Sequence, residues 1–204
     1  MPEIELEETL EKLAKDYSGK LSPELIFVEI GTSKGISALR ILKGIKESGI
    51  QRWFFTIDPY GDKPYRQGEE TLYETIYGEE TFRKTMFELN KYAYQNNLLY
   101  CHWRMLDSDF MRYFPEMEFW HKSQKIKNAQ FGFVYLDGEH TKEIVLKEFE
   151  WFYSRMPKGG IIIIDDVRFL GMENGIEDLF KNFKGNWSFQ IYEYNDRGYF
   201  IKNE

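Results

Sequence analysis

The chain has 204 residues, 42% hydrophobic and 30% charged, enough to bury one sizeable core and short for two ordinary domains. Its net charge of −7 makes the long-range term repulsive toward nucleic acid and anionic membrane, so neither is an expected partner. The single Cys101 excludes an intrachain disulfide, and no apolar run reaches the roughly 18 residues of a spanning helix.

The opening MPEIELEETL lacks the basic and apolar regions of a signal peptide, so a cytoplasmic protein is expected. Residues 4–16 place Leu6, Leu10 and Leu13 at helical spacing among Glu and Lys. LIFVEI, 25–30, reads as a strand ending at Gly31, and 36–48 returns to helical periodicity through Ala38, Leu42 and Ile45. A second strand in RWFFTIDPYGD, 52–62, stops at Asp58, where Pro59 and Gly61 break it. A helix over 77–95 leads to a third strand, LLYCHW, 98–103, in which Cys101 and His102 read as core. The fourth strand is FGFVYLDG, 131–138, and the helix after it carries one apolar stripe of Val145, Phe149, Phe152 and Met156.

Four isoleucines, 161–164, form the fifth strand, and their lack of polar alternation fits burial on both faces. WSFQIYEY, 187–194, and YFIK, 199–202, flank the turn-rich NDRG and predict a closing antiparallel hairpin. Strands alternating with helices indicate βαβ units, a parallel sheet and a single domain over 1–204, with an N-terminal helix in 1–20 and a core over 25–202. Segments 59–76 and 114–129 are longer than plain connections need. They are candidate substrate-binding loops, with Tyr60, Tyr65 and Trp120 as pocket walls, although loop aromatics also pack on their own scaffold.

Two features carry chemistry. The first is the turn Glu29-Ile30-Gly31-Thr32-Ser33-Lys34-Gly35, in which Gly31 permits a tight bend and the next helix offers its first amides to an anion. It is neither the dinucleotide glycine pattern nor a P-loop. Asp58, 27 positions past Gly31 at the end of the second strand, suits a ribose diol. Together they leave NAD and S-adenosylmethionine as candidates, and the loop pattern favours the second. The other feature is Asp165 beside Asp166 where the isoleucine strand leaves the sheet, the edge at which such sheets bind ligands. Two adjacent carboxylates suit a cation or a donor-rich ligand, whereas one alone would read as a turn residue or helix cap.

FVEIGTSKGISALRIL, the Asp58 of TIDPY, VYLDGEHTKE and MPKGGIIIIDDV together resemble the class I S-adenosylmethionine-dependent methyltransferases, and within them the macrolide-sugar O-methyltransferase branch. The resemblance covers roughly residues 25–202. It implies an α/β, Rossmann-like, seven-stranded, mostly parallel sheet of order 3-2-1-4-5-7-6, the last strand antiparallel, with helices on both faces. It also implies that Glu29, Gly31, Thr32, Ser33, Gly35 and Ser37 surround the methionine end of the cofactor and that Asp58 binds the ribose. Asp107 and Ser108 stand where relatives contact adenine, or else cap a helix.

Asp137 ends the fourth strand, and parallel neighbours lie ~4.8 Å apart, so Asp137, Asp165 and Asp166 can converge. Three hard oxygen ligands suit Mg²⁺, and related O-methyltransferases grip substrate oxygens through such a triad. Asp137 can instead hold the cofactor's amino group. His140 matches the histidine that resembles a general base in the sugar-methylating branch, or else packs at a helix start; His121 sits in a polar loop with no identifiable partner. The expected activity is Mg²⁺-dependent O-methylation of a small hydroxylated metabolite or sugar, with Asp137 and His140 catalytic. A metal-independent methyltransferase acting on N or O of a small molecule or macromolecule, a nucleotide-binding oxidoreductase and a non-catalytic cofactor-binding protein are the alternatives, and homo-oligomerisation is left open.

Overall fold

A computed structural model describes residues 2–61, 65–67, 70–72, 78–121, 123–126, 129–139, 141–167, 183–191 and 196–204. Seven strands form the main sheet: β1 (Ile26–Ile30), β2 (Trp53–Ile57), β3 (Leu99–Trp103), β4 (Phe131–Leu136), β5 (Ile161–Ile164), β6 (Gly185–Ile191) and β7 (Asp196–Lys202). Their order across the sheet is β3-β2-β1-β4-β5-β7-β6, the expected order. Pairings among β1 to β5 are parallel, and β7 runs antiparallel to both β5 and β6.

Among the described residues five α-helices accompany the strands: α1 (Pro2–Lys20), α2 (Ile36–Ser48), α3 (Glu79–Gln95), α4 (Asp107–Tyr113) and α5 (Lys142–Ser154). The two-residue period of the strands divides the core between them. Ile26, Val28, Ile30, Phe55, Ile57, Val134, Ile162 and Ile164 face Phe110 of α4 and Val145, Phe149 and Phe152 of α5. Phe27, Phe54, Phe133, Tyr135, Ile161 and Ile163 face Leu10 and Ala14 of α1, Ile41, Leu42 and Ile45 of α2, and Leu89 of α3. Each buried aliphatic or aromatic side chain contributes about 1.5–3 kcal/mol, and polar groups in the central strands are pushed toward the strand ends.

Helix α1 lies within the expected 1–20 and extends beyond the leucine-spaced residues 4–16, and it crosses α2 closely enough that a Cβ on Gly44 would lie 2.2 Å from the carbonyl oxygen of Glu11. The closing hairpin also differs from expectation. β7 begins at Asp196, so three of the four residues read as a turn, Asp196, Arg197 and Gly198, are strand. In the segment 114–129, a 3₁₀ turn (Phe114–Glu116) leads into a short hairpin pairing Phe119–His121 with Gln124–Ile126. Phe114 and Phe119 of this segment are buried in the core, while Trp120 is 53% exposed. Residues 65–67 and 70–72 pair as another short hairpin, and the side chain of Tyr65 lies outside the described residues.

Arg52, 1% exposed just before β2, ties α1 to the sheet. Its guanidinium donates to the carbonyl oxygens of Ser18 (2.6 Å), Leu21 (3.1 Å), Ser22 (3.2 Å) and Leu25 (3.2 Å), and its Nε donates to Ser18 Oγ at 2.9 Å. The Ser18 carbonyl belongs to the last turn of α1, which leaves it without an intrahelical donor, and the other three belong to the connection from α1 to β1. Burial lowers the Arg52 pKa to about 10, so the side chain stays charged at neutral pH. Arg52→Met strips donors from several buried acceptors at once and is expected to cost about 3 kcal/mol in urea unfolding, with Arg52→Lys recovering only part of it.

Candidate active site

The turn after β1 is shaped by close backbone contact. Gly31 has φ 86°, and a Cβ on it would lie 1.8 Å from the carbonyl oxygen of Asp137. Ser33 (φ 47°) and Gly35 (φ 75°) complete the bend into α2, and the Gly35 N–H donates to the Thr32 carbonyl at 2.7 Å. The end of β2 holds this turn in place. Asp58 accepts the Ser33 N–H and the Tyr60 N–H, each at 2.9 Å. The Tyr60 hydroxyl donates to the Ser33 carbonyl oxygen, which also accepts from the Thr85 hydroxyl at 3.3 Å. Tyr60 is therefore buried scaffold, 5% exposed, rather than an open pocket wall.

Burial pushes Asp58 above the usual carboxylate range, against the opposing pull of its backbone donors. Each carboxylate oxygen can accept more than one hydrogen bond, so Asp58 keeps capacity for a ligand diol. Glu29, fully buried, and Ser37, 8% exposed in the first turn of α2, flank the turn. The Thr32 hydroxyl is buried and finds no hydrogen-bond partner among the described residues. A polar ligand group at this turn fits that hydroxyl together with the first amides of α2.

The second half of the site lies where β4, β5 and β7 meet. Register pairs Leu136 with Ile164 and Ile164 with Gly198, which brings Asp137, Asp165 and Arg197 to one end of adjacent strands. Arg197 Nε donates to Asp165 Oδ1 at 2.8 Å, and Nη2 donates to the Tyr135 hydroxyl at 3.0 Å. Both partners of the ion pair are buried, with side-chain exposures of 4% for Arg197 and 11% for Asp165. Burial works against the Arg197 charge, but Tyr135 and Asp165 together raise its pKa.

Asp137 is held well above the carboxylate range by burial and by the nearby charges of Asp165 and Glu29. Burial, then Asp165 and Asp196, push Asp166 up to about 6, and its backbone has φ 52°. The structure thus brings Asp137, Asp165 and Asp166 into one another's field, as the sequence suggests. Among the described residues, however, no three His, Cys, Asp or Glu side chains are grouped to hold a metal ion. The expected Mg²⁺ triad meets a physical obstacle in the guanidinium bound to Asp165.

Sequence reasoning missed Arg197 because it treated NDRG as a turn. Extending the alternation back from Tyr199 and Ile201 would have put Arg197 on their face, opposite the end of β5. Glu148 of α5 is a second omission. It lies on the apolar stripe of Val145, Phe149 and Phe152, fully buried, which is an unusual place for a carboxylate. Burial, then Asp107 and Glu139, hold it well above the carboxylate range. Asp107 and Ser108 begin the first turn of α4, with Leu106 at the cap position. His102 Nδ1 pairs with Thr56 Oγ1 at 2.9 Å, and burial lowers its pKa to about 4. His140 and the side chain of His121 lie outside the described residues.

A family model described as a methyltransferase domain matches residues 28–167. No curated protein matches the chain. Among solved structures, the O-methyltransferase from Bacillus cereus in complex with SAH is 15% identical, with TM-score 0.60 over 97% of this chain and 80% of that one. The O-methyltransferase TomG from Streptomyces achromogenes, involved in tomaymycin synthesis and bound to SAM, is 12% identical, with TM-score 0.58 over 97% and 80%. The SAH-bound methyltransferase PaMTH1 from Podospora anserina is 11% identical, with TM-score 0.55 over 96% and 76%. At these identities the likeness is one of fold. Among the described residues no helix is long and apolar enough to cross a membrane.

The buried Glu148 makes stability pH-dependent in a definite sense. A carboxyl with a raised folded pKa contributes stability that is fully present below its ordinary value of 4.5 and lost as pH rises through the folded value. Glu148→Gln, neutral at every pH, is expected to match the wild type in denaturant melts near pH 4 and to exceed it increasingly at higher pH.

Proposed function

The chain belongs to the methyltransferase-domain family, as a class I enzyme that uses S-adenosylmethionine, and from that premise we propose that it methylates a hydroxyl oxygen on a small molecule such as a sugar or hydroxylated metabolite. The observation that carries this reading is the β1–α2 turn held against Asp58 by the Ser33 and Tyr60 amides, with the unsatisfied Thr32 hydroxyl beside it. These residues fit S-adenosylmethionine. Glu29, Gly31, Thr32, Ser33, Gly35 and Ser37 would receive its methionine end, Asp58 its ribose, and Asp107 and Ser108 its adenine. Asp137 would face its amino group. The printed descriptions of the Bacillus and Streptomyces proteins as O-methyltransferases support oxygen as the acceptor. The net charge of −7 favours a small acceptor over a polyanion.

When bound, S-adenosylmethionine supplies an activated methyl group, so the chain has to align the acceptor oxygen and remove its proton. His140, three residues past Asp137, is the proposed proton acceptor. Mg²⁺, which the family resemblance implies, would be held by Asp137, Asp165 and Asp166. These residues do not fit a divalent ion while Arg197 Nε lies 2.8 Å from Asp165, so no step of the proposed reaction passes through a metal.

Calorimetry is expected to show saturable binding of S-adenosylmethionine and none of NAD; a silent S-adenosylmethionine titration rejects the reading. With labelled S-adenosylmethionine and a panel of sugars and phenols, His140→Gln is expected to lower kcat about 10²–10⁴-fold with cofactor affinity unchanged. Undiminished kcat removes the base assignment.

A further inference from the structure

We infer that Arg197 serves as the fixed cation of this site, occupying with its guanidinium the electrostatic place that a divalent ion would fill between Asp137, Asp165 and Asp166. The inference rests on the methyltransferase reading for its catalytic meaning, but its physical content is independent of it. Carboxylates delivered to the ends of adjacent strands repel one another when ionised, and a nearby positive charge relieves that repulsion. Here the charge comes from the neighbouring strand. β7 runs antiparallel to β5, so its first residues lie beside the last residues of β5. Arg197, two residues before Tyr199 on the same face, meets Asp165, two residues after Ile163, and Tyr199 and Ile163 are paired in register.

The arrangement is built rather than incidental. Nε is committed to Asp165 and Nη2 to the Tyr135 hydroxyl, the guanidinium lies over the Tyr135 ring at 5.2 Å, and the arginine side chain is 4% exposed. An ion beside it would lose one oxygen of Asp165 to the arginine and would feel the repulsion of a buried positive charge that cannot give up its proton near neutral pH. Arg197 is therefore a positioning residue. It fixes Asp165 and Tyr135, and it shares its field with Asp137 and Asp166, without touching the reacting atoms.

The test is Mn²⁺ binding followed by electron paramagnetic resonance, with S-adenosylmethionine calorimetry on the same samples. Wild-type protein is expected to leave the free Mn²⁺ signal unchanged, and its cofactor isotherm and any turnover are expected to be the same in EDTA. Arg197→Met frees the carboxylates and is expected to bind Mn²⁺ at least ~10-fold more tightly than wild type, about 1.4 kcal/mol, a gain lost again when Asp165→Asn is added. Arg197→Lys keeps the charge and is expected to bind no Mn²⁺.

Mn²⁺ bound by the wild type and released by Asp165→Asn overturns the inference, and this arm holds even where Arg197→Met fails to fold. A folded Arg197→Met that binds no Mn²⁺ overturns it as well. Failure of the functional reading looks different: S-adenosylmethionine is silent in calorimetry while the Mn²⁺ results stand.

Discussion

The backbone leaving β1 passes so close to the backbone leaving β4 that the carbonyl oxygen of Asp137 fills the space a side chain at residue 31 would need. The geometry of the site follows from that contact. It forces the chain at Gly31 into a left-handed turn, which sends Thr32 and Ser33 toward the end of β2, where Asp58 gathers their amides. It also fixes Asp137 directly above the first turn, so that the group following β4 and the loop following β1 form one continuous wall. A sheet covered on both faces leaves polar side chains few places to go, and the strand ends collect them. The result is an edge crowded with carboxylates, in which Asp137 and Asp166 are driven toward their neutral forms and Asp165 is matched by an arginine.

That crowding separates two ways of handling negative charge within one fold. Carboxylates that need to stay ionised require a partner, and those without enough positive charge nearby keep their protons. Asp165 has Arg197 as its ion-pair partner, whereas burial and neighbouring carboxylates hold Glu148 well above the carboxylate range. Asp58 stands between them, buried yet surrounded by backbone donors that partly restore the solvation it lost. The half of the site around Gly31 and Asp58 is therefore organised by peptide amides and the β4–β5–β7 half by side-chain charge.

The strands and their parallel βαβ arrangement were readable from the sequence because hydrophobic runs, glycines and acidic residues at the strand ends recur at each unit, whereas their order across the sheet came from the family resemblance. The glycine turn, Asp58, Asp137 and the Asp165–Asp166 pair are likewise visible, since each lies directly at a strand terminus. What stayed hidden depends on contacts across the sheet. Arg197 gains its role only from the antiparallel register of β7 on β5, which no local pattern specifies, and its neighbours Asp196 and Gly198 imitate a turn. Tyr60 looked like a pocket wall because it lies in the long segment 59–76. Its hydroxyl in fact reaches back to the Ser33 carbonyl, a contact made 27 residues away along the chain. Glu148 was detectable in principle as a charge on an apolar helical stripe, but its relation to Asp107 required α4 and α5 to be placed side by side.

The tie between Arg52 and the end of α1 bears on how the chain comes to be folded. The carbonyls that Arg52 collects belong to residues 18 to 25, while the arginine itself follows a helix and a turn later. During synthesis α1 emerges ahead of α2 and β2, with its last carbonyls open to water and its apolar face uncovered. It gains the Arg52 donors only when α2 and the start of β2 have followed, and its apolar face also waits for Phe133 of β4. Helix α1 is therefore made before the strands that secure it.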